Sequence, residues 1–232
     1  LITGNNEEGR KVGSVGRAIP GVRVKIDTSK TGDSEIGEII AYGPNVMQGY
    51  YNLPDEDAAV FTDDGGFRTG DLGRIDDDGF VFITGRIKEQ YKLENGKYVV
   101  PSPIEEQLQL SGFVSQVMVH GEQRPFNVAV VVPDMEYLEK WASEHGLDTS
   151  DLQALLADAE VRDLFKQELS KAQSDIKPYE RVKDFVLDSE AFTPENGMLT
   201  PSLNIKRKAI IDRFGEHLDE LYDSDDPLTD HG

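Results

Sequence analysis

The sequence predicts an α+β fold in two parts, a β-rich stretch followed by antiparallel strands packed with helices. Three observations carry this. Over residues 1–85 the apolar positions alternate in short runs broken by Gly and Asp turns. From about residue 102 the apolar spacing switches to threes and fours. Between these halves, Arg86-Ile87-Lys88 marks the junction, which gives provisional domains of 1–85 and 86–232.

The elements follow in order. Val22 to Ile26 alternates with period two, Thr28 to Glu35 is a polar turn, and Ile36 to Tyr42 reads as a buried strand. Leu72 to Ile75 and Phe80 to Ile83 flank Asp76-Asp77-Asp78-Gly79, a hairpin. Glu89 to Leu93 and Lys97 to Val100 flank Glu94-Asn95-Gly96, a second hairpin. Ser102-Pro103-Ile104-Glu105 reads as a capping box opening a helix to about Leu110. Val114 to Val119 and Asn127 to Val132 form a third hairpin. Helices are expected over 134–145, 150–157 and 159–174, and a strand over Val182 to Leu187. Leu203 to Leu221 is amphipathic, with Ile210, Ile211, Phe214, Leu218 and Leu221 on one face. An acidic tail from about 222 is expected to fray.

Composition sets limits. With 44 acidic against 24 basic residues the formal net charge is −20, which speaks against a nucleic-acid-binding face. Solubility explains such charge, and a salty cytoplasm would screen it. No apolar run reaches the length of a bilayer span, and the absence of cysteine fits a reducing compartment. A cytoplasmic protein is expected, with peripheral membrane contact or homodimerisation left open. The chain opens on Leu1, directly in strand-like sequence, and reads as a piece of something longer. No metal site is expected, since His120, His145, His217 and His231 show no ligand spacing.

Four segments stand out. Gly37 to Pro44 followed by Met47-Gln48-Gly49-Tyr50-Tyr51 reads, on its own, as a strand, a turn and an aromatic pair. In Phe67-Arg68-Thr69-Gly70-Asp71, the Asp71 carboxylate suits a ribose diol, because two oxygens can accept from two vicinal hydroxyls; it could equally cap its own turn. In Gly85-Arg86-Ile87-Lys88, Arg86 offers a fork of donors or a surface ion pair, and Lys88 falls where a hinge would bend. Gly96 would let a ligand approach the backbone, or is simply a hairpin tip. The segment Thr193 to Arg207 carries a basic cluster into a helix N-terminus, against the helix dipole, which hints at function.

Together these segments resemble the closing motifs of the adenylate-forming (AMP-binding) superfamily, over nearly the whole chain. Lys92-Leu93-Glu94-Asn95-Gly96-Lys97-Tyr98-Val99 and Asn196-Gly197-Met198-Leu199-Thr200-Pro201 look specifically like long-chain fatty acyl-CoA synthetases. The resemblance implies the β-rich remnant of a large N-terminal domain, then a mobile C-terminal domain hinged at 86–88. It implies an acid–thiol ligase that forms acyl-AMP and then acyl-CoA from a fatty acid, ATP and CoA. Asp71 and Arg86 would bind the nucleotide, Lys88 would be the hinge and Gly96 would lie near CoA. Aligning Thr200-Pro201-Ser202-Leu203 puts Asn204 where the family has its catalytic lysine. Lys206 is the preferred substitute, though helical geometry would turn it about 200° away; Lys208 or impaired adenylation are the other readings. The phosphate loop, the Mg²⁺ ligands and the acyl pocket would lie upstream in the missing N-terminal domain, so this piece alone is expected to bind ATP weakly and to be inactive. Competing readings are an acyl-AMP ligase serving a carrier protein, a CoA ligase for another acid, and a catalytically dead interaction module.

Overall fold

The computed structural model describes residues 1–6 and 9–223. The acidic tail, beyond Asp223, lies outside the described residues. The chain divides into two compact units, Leu1–Gln90 and a second beginning at Tyr91. This division falls past the 85/86 junction read from sequence because Arg86 completes a strand and Ile87–Glu89 forms a 3-10 turn.

The first unit is a six-stranded antiparallel sheet in the order β1-β2-β6-β5-β4-β3. Its strands are β1 (Thr3–Gly4), β2 (Gly16–Ala18), β3 (Arg23–Asp27), β4 (Gly37–Tyr42), β5 (Phe67–Ile75) and β6 (Phe80–Arg86). Strands β5 and β6 meet at the expected hairpin, where Asp76 Oδ1 accepts from the backbone N–H of Asp78 and Phe80. A side chain that caps the turn leaves no backbone donor orphaned, which is why an Asp opens it. Helix α1 (Pro54–Val60), not anticipated from sequence, starts on a proline and carries Asp55, Glu56 and Asp57 in its first turn, both favourable at a helix N-terminus.

The second unit opens with the small hairpin of β7 (Tyr91–Lys92) and β8 (Tyr98–Val99), closed at Gly96 with φ +86°. Its main sheet runs β11-β10-β9, from β9 (Val114–His120), β10 (Asn127–Pro133) and β11 (Val182–Leu187). Strands β9 and β10 are antiparallel, as the hairpin reading requires, while β11 joins β10 in parallel. A parallel partner needs a crossover, and α3 (Met135–Glu144), α4 (Leu152–Leu156) and α5 (Ala159–Ala172) supply it. Asp134, Asp151 and Asp158 each cap one of these helices, so part of the acidic composition serves as N-caps.

Central strand β10 is buried on both faces, and its sequence from Val128 to Val132 is apolar throughout. Ala129 and Val131 face a core with Leu138, Phe165, Leu169 and Phe185. Val128, Val130 and Val132 face another with Ile210, Phe214 and Leu218 of α6 (Arg207–Glu220). Helix α2 (Pro101–Leu108) packs on β9.

The capping box does not form. Helix α2 starts earlier, at Pro101, with Val100 as a cap residue that makes no side-chain bond. Ser102 is then already helical, and Glu105 reaches elsewhere. The predicted helix from Leu203 begins only at Arg207, because residues 200–204 fold into a tight turn with Leu203 at φ +61°.

Candidate functional site

Asp71 and Arg86 are register partners on β5 and β6. A shared rung places their side chains on one face of the pair. Arg86 Nε lies 2.9 Å from Asp71 Oδ1. Asp71 does not cap its own turn; Thr69 does so, its Oγ1 accepting from the Asp71 N–H and donating to Ile39 O. Gly70, at φ +73°, makes the bend between them that an L side chain would resist. Burial pushes the Asp71 carboxyl up, and the neighbouring Arg86 guanidinium partly offsets it. A half-buried carboxylate beside a fork of donors can accept hydroxyls while the fork binds an oxygen-rich partner.

Lys88 sits exposed in the 3-10 turn before the division between the units. Gly96 occupies the turn from Leu93, donating its N–H to Leu93 O, while Asn95 Oδ1 accepts from Lys97 N. An added Cβ there would meet Lys92 Cε at an ordinary 3.7 Å, so the positive φ, not crowding, is what requires glycine.

The last segment is a short hairpin. Leu199 bridges Ile205, Lys206 N–H donates to Met198 O, and Thr200 N–H donates to Asn204 O. Asn204 turns its amide onto Ser202 Oγ at 2.9 Å, so its side chain supports the turn. Lys206 is the non-helical cap residue of α6, and its side chain is exposed. Since neither residue is helical, the 200° separation expected from helical geometry does not apply; the correction follows from the turn at Leu203. Lys208 is exposed in the first turn of α6.

One contact escaped the sequence reading, that between Glu105 and Arg207. Arg207 Nη1 and Nη2 meet both carboxylate oxygens of Glu105, at 2.6 and 2.7 Å, and Glu105 Oε1 accepts from Val119 N–H at 2.8 Å. The signal present in the sequence was a cation at a helix N-terminus, where the dipole disfavours it without a partner. Among the described residues no cluster of three or more His, Asp or Glu could hold a metal ion, and no helix is long and apolar enough to cross a membrane.

Residues 88–226 match the family model described as the AMP-binding enzyme C-terminal domain. The chain is 37% identical over 189 residues to long-chain-fatty-acid–CoA ligase 1 of Homo sapiens, covering 80% of this chain and 27% of that protein. It is 32% identical over 219 residues to long-chain-fatty-acid–CoA ligase FadD15 of Mycobacterium tuberculosis, covering 93% and 35%. The chain thus spans about a third or less of the length of these curated relatives. Among solved structures, the A domain of carboxylic acid reductase from Segniliparus rugosus, in complex with AMP and a co-purified carboxylic acid, is similar at TM-score 0.72 and 29% identity. That match covers 89% of this chain and 32% of that one.

Proposed function

Because the chain belongs to the AMP-binding enzyme C-terminal domain family, we propose that it works as the C-terminal part of a long-chain fatty acid–CoA ligase. The reaction has two halves. A fatty acid carboxylate attacks the α-phosphate of ATP, releasing pyrophosphate and leaving acyl-AMP. The thiol of CoA then attacks the acyl carbon and expels AMP.

The Asp71–Arg86 pair is the observation that carries this reading. Burial raises the carboxyl's pKa, so its ionised form sits there at a cost. A scaffold has no use for such a group, whereas a ribose diol has two hydroxyls to donate to it. Arg86 would then hold Asp71 in place and share the nucleotide. Lys88 would let the second unit turn between half-reactions, so that one site is closed to water twice with different residues facing it. Gly96 would pass the CoA arm. Lys206 would bring its ammonium to the carboxylate and phosphate oxygens that repel one another as they meet, the charge stabilisation this chemistry needs. Asn204, occupied with Ser202, would leave that work to Lys206.

We place the Mg²⁺ ligands upstream of this piece, in the N-terminal domain that the resemblance implies. We place the enzyme in the cytoplasm, with fatty acid, ATP and CoA as its substrates. The carrier-protein alternative draws on the similarity to a carboxylic acid reductase domain, but at 29% identity against the 32–37% shared with CoA ligases.

Pyrophosphate exchange in the complete ligase tests the site. Lys206→Ala is expected to abolish most exchange, and Asn204→Lys to change it severalfold. Unchanged exchange in Lys206→Ala removes Lys206 from the mechanism. Turnover of fatty acid by the 232-residue chain alone would overturn the division of labour.

A further inference from the structure

The segment that carries Asn204 and Lys206 is fastened at both ends to one strand. On its N-terminal side, the Gln116 amide of β9 grips the backbone of Phe192 twice: Nε2 donates to Phe192 O at 3.0 Å and Oε1 accepts from Phe192 N at 2.6 Å. On its C-terminal side, Arg207 is held by Glu105, and Glu105 is held by the N–H of Val119, also on β9. Met198 and Leu199, between the anchors, are buried against Ile210 and Phe214 of α6. Exposed between the anchors are Glu195 and Asn196, the turn at 201–204, and Lys206.

The Glu105–Arg207 contact has a form suited to aiming. Glu105 is 5% exposed, and the guanidinium meets it side by side through two nitrogens, a geometry that fixes direction as well as distance. Buried ion pairs add little net stability over apolar packing, so stability alone does not account for it. It also joins residues 102 apart in the chain, tying α2, β9 and the first residue of α6 into one rigid corner. Lys206 is the next residue back from that corner, and its own N–H is bonded to Met198 O.

We propose that Glu105 and Arg207 form a positioning clamp that sets where Lys206 points during acyl-adenylate formation; this rests on the reading of Lys206 given above. Neither residue touches substrate. The clamp serves one half-reaction only, because Lys206 acts in adenylate formation and not in transfer to CoA. Gln116 holds the other end of the same segment and has the same effect to a smaller degree.

The test separates the half-reactions in the complete ligase. Adenylate formation is followed by pyrophosphate exchange, and thioester formation by supplying preformed acyl-adenylate with CoA. Arg207→Met alone strands a buried carboxylate and endangers the fold, so the principal variant is the double Glu105→Gln with Arg207→Met. It removes both charges and keeps an oxygen for Val119 N–H. Misplacing a reacting group by about 1 Å costs on the order of a hundredfold, so exchange should fall about tenfold or more while thioester formation stays within about twofold. Arg207→Lys, keeping charge without the fork, should fall between.

Lys206→Ala is run alongside. If both half-reactions of the double variant drop together, the pair is a plain strut and the proposal is overturned. If neither drops while Lys206→Ala loses exchange, the clamp is refuted and the role of Lys206 survives. If Lys206→Ala exchanges normally, the site reading fails, and the clamp with it.

Discussion

The two units bury their sheets to different depths. In the second, β10 has a core on each face, and Val128, Val130 and Val131 are wholly buried. In the first, Ile40, Ala41 and Leu72 are buried, yet Ile75 and Ile83 on the same sheet are exposed, as are Tyr51 and Leu53 beyond β4. Burial of apolar area is the main favourable term in folding, at roughly 25 cal/mol per Å². The second unit therefore holds most of the stability. The first keeps a carboxylate whose burial works against the fold. The contrast is one of burial: a two-sided core in the second unit, and in the first a sheet with exposed apolar positions and one carboxylate held against its burial.

Val130→Asp should break this contrast most severely. It places an unpaired charge in the middle of a two-sided core, and the second unit should fail to fold, seen as lost helical circular dichroism. Ile83→Asp, on the half-exposed face of β6, should shift melting only slightly. Phe165→Ala should cost about 3–5 kcal/mol by denaturant titration, the usual price of an aromatic removed from a closed core.

Asp71→Asn sharpens the comparison from the other side. The folded pKa of Asp71 is raised by burial, so its favourable contribution exists below its unfolded value and is lost as pH rises through the folded one. At neutral pH the substitution should raise the melting temperature of the first unit slightly. It should also weaken nucleotide binding by about tenfold or more in the complete ligase, since hydrogen bonds to charged groups are worth roughly 1.5–3 kcal/mol. An unchanged affinity by equilibrium dialysis would remove Asp71 from the site.

The smallest effect is expected at His120. Burial lowers its pKa, with Arg124 and Arg207 adding to this while Glu122 and Asp219 oppose. A depressed folded pKa means stability is present above the unfolded value of about 6.5 and is lost as pH falls through the folded one. His120→Gln should flatten that slope in melts recorded below about pH 6.5.

Local signals in the sequence reported local structure well. Asp76 to Gly79 and Asn95-Gly96 marked their turns because those residues satisfy the backbone or permit positive φ. The strand pair of Val114 to Val119 and Asn127 to Val132 is where the hairpin reading placed it, while the burial of β10 on both faces emerges only from the structure. Glu105 misled because Ser102-Pro103-Ile104-Glu105 has the spacing of a cap, while the partner that claims its side chain is 102 residues away. No periodicity encodes such a contact. The tight turn before α6 was hidden for a related reason: Leu203 gives no sign of a left-handed backbone, a conformation costing roughly 1–3 kcal/mol that the surrounding hydrogen bonds enforce. At the candidate site, Asp71 and Arg86 were legible as residue types, but their contact with each other appears only once β5 and β6 are in register.

The parallel pairing of β11 with β10 has a consequence for how the chain assembles. Strands β9 and β10 are neighbours in sequence and can pair early, whereas β11 reaches its place only after α3, α4 and α5 have been made. Until then one edge of β10, buried along its whole length in the finished fold, stands open, with its amides and carbonyls available to any other strand. During synthesis that interval lasts at least as long as the ribosome takes to add the crossover, a few seconds at ordinary elongation rates of about 5–20 residues per second. Nascent chains halted before Val182 should accordingly be the ones that seek chaperones.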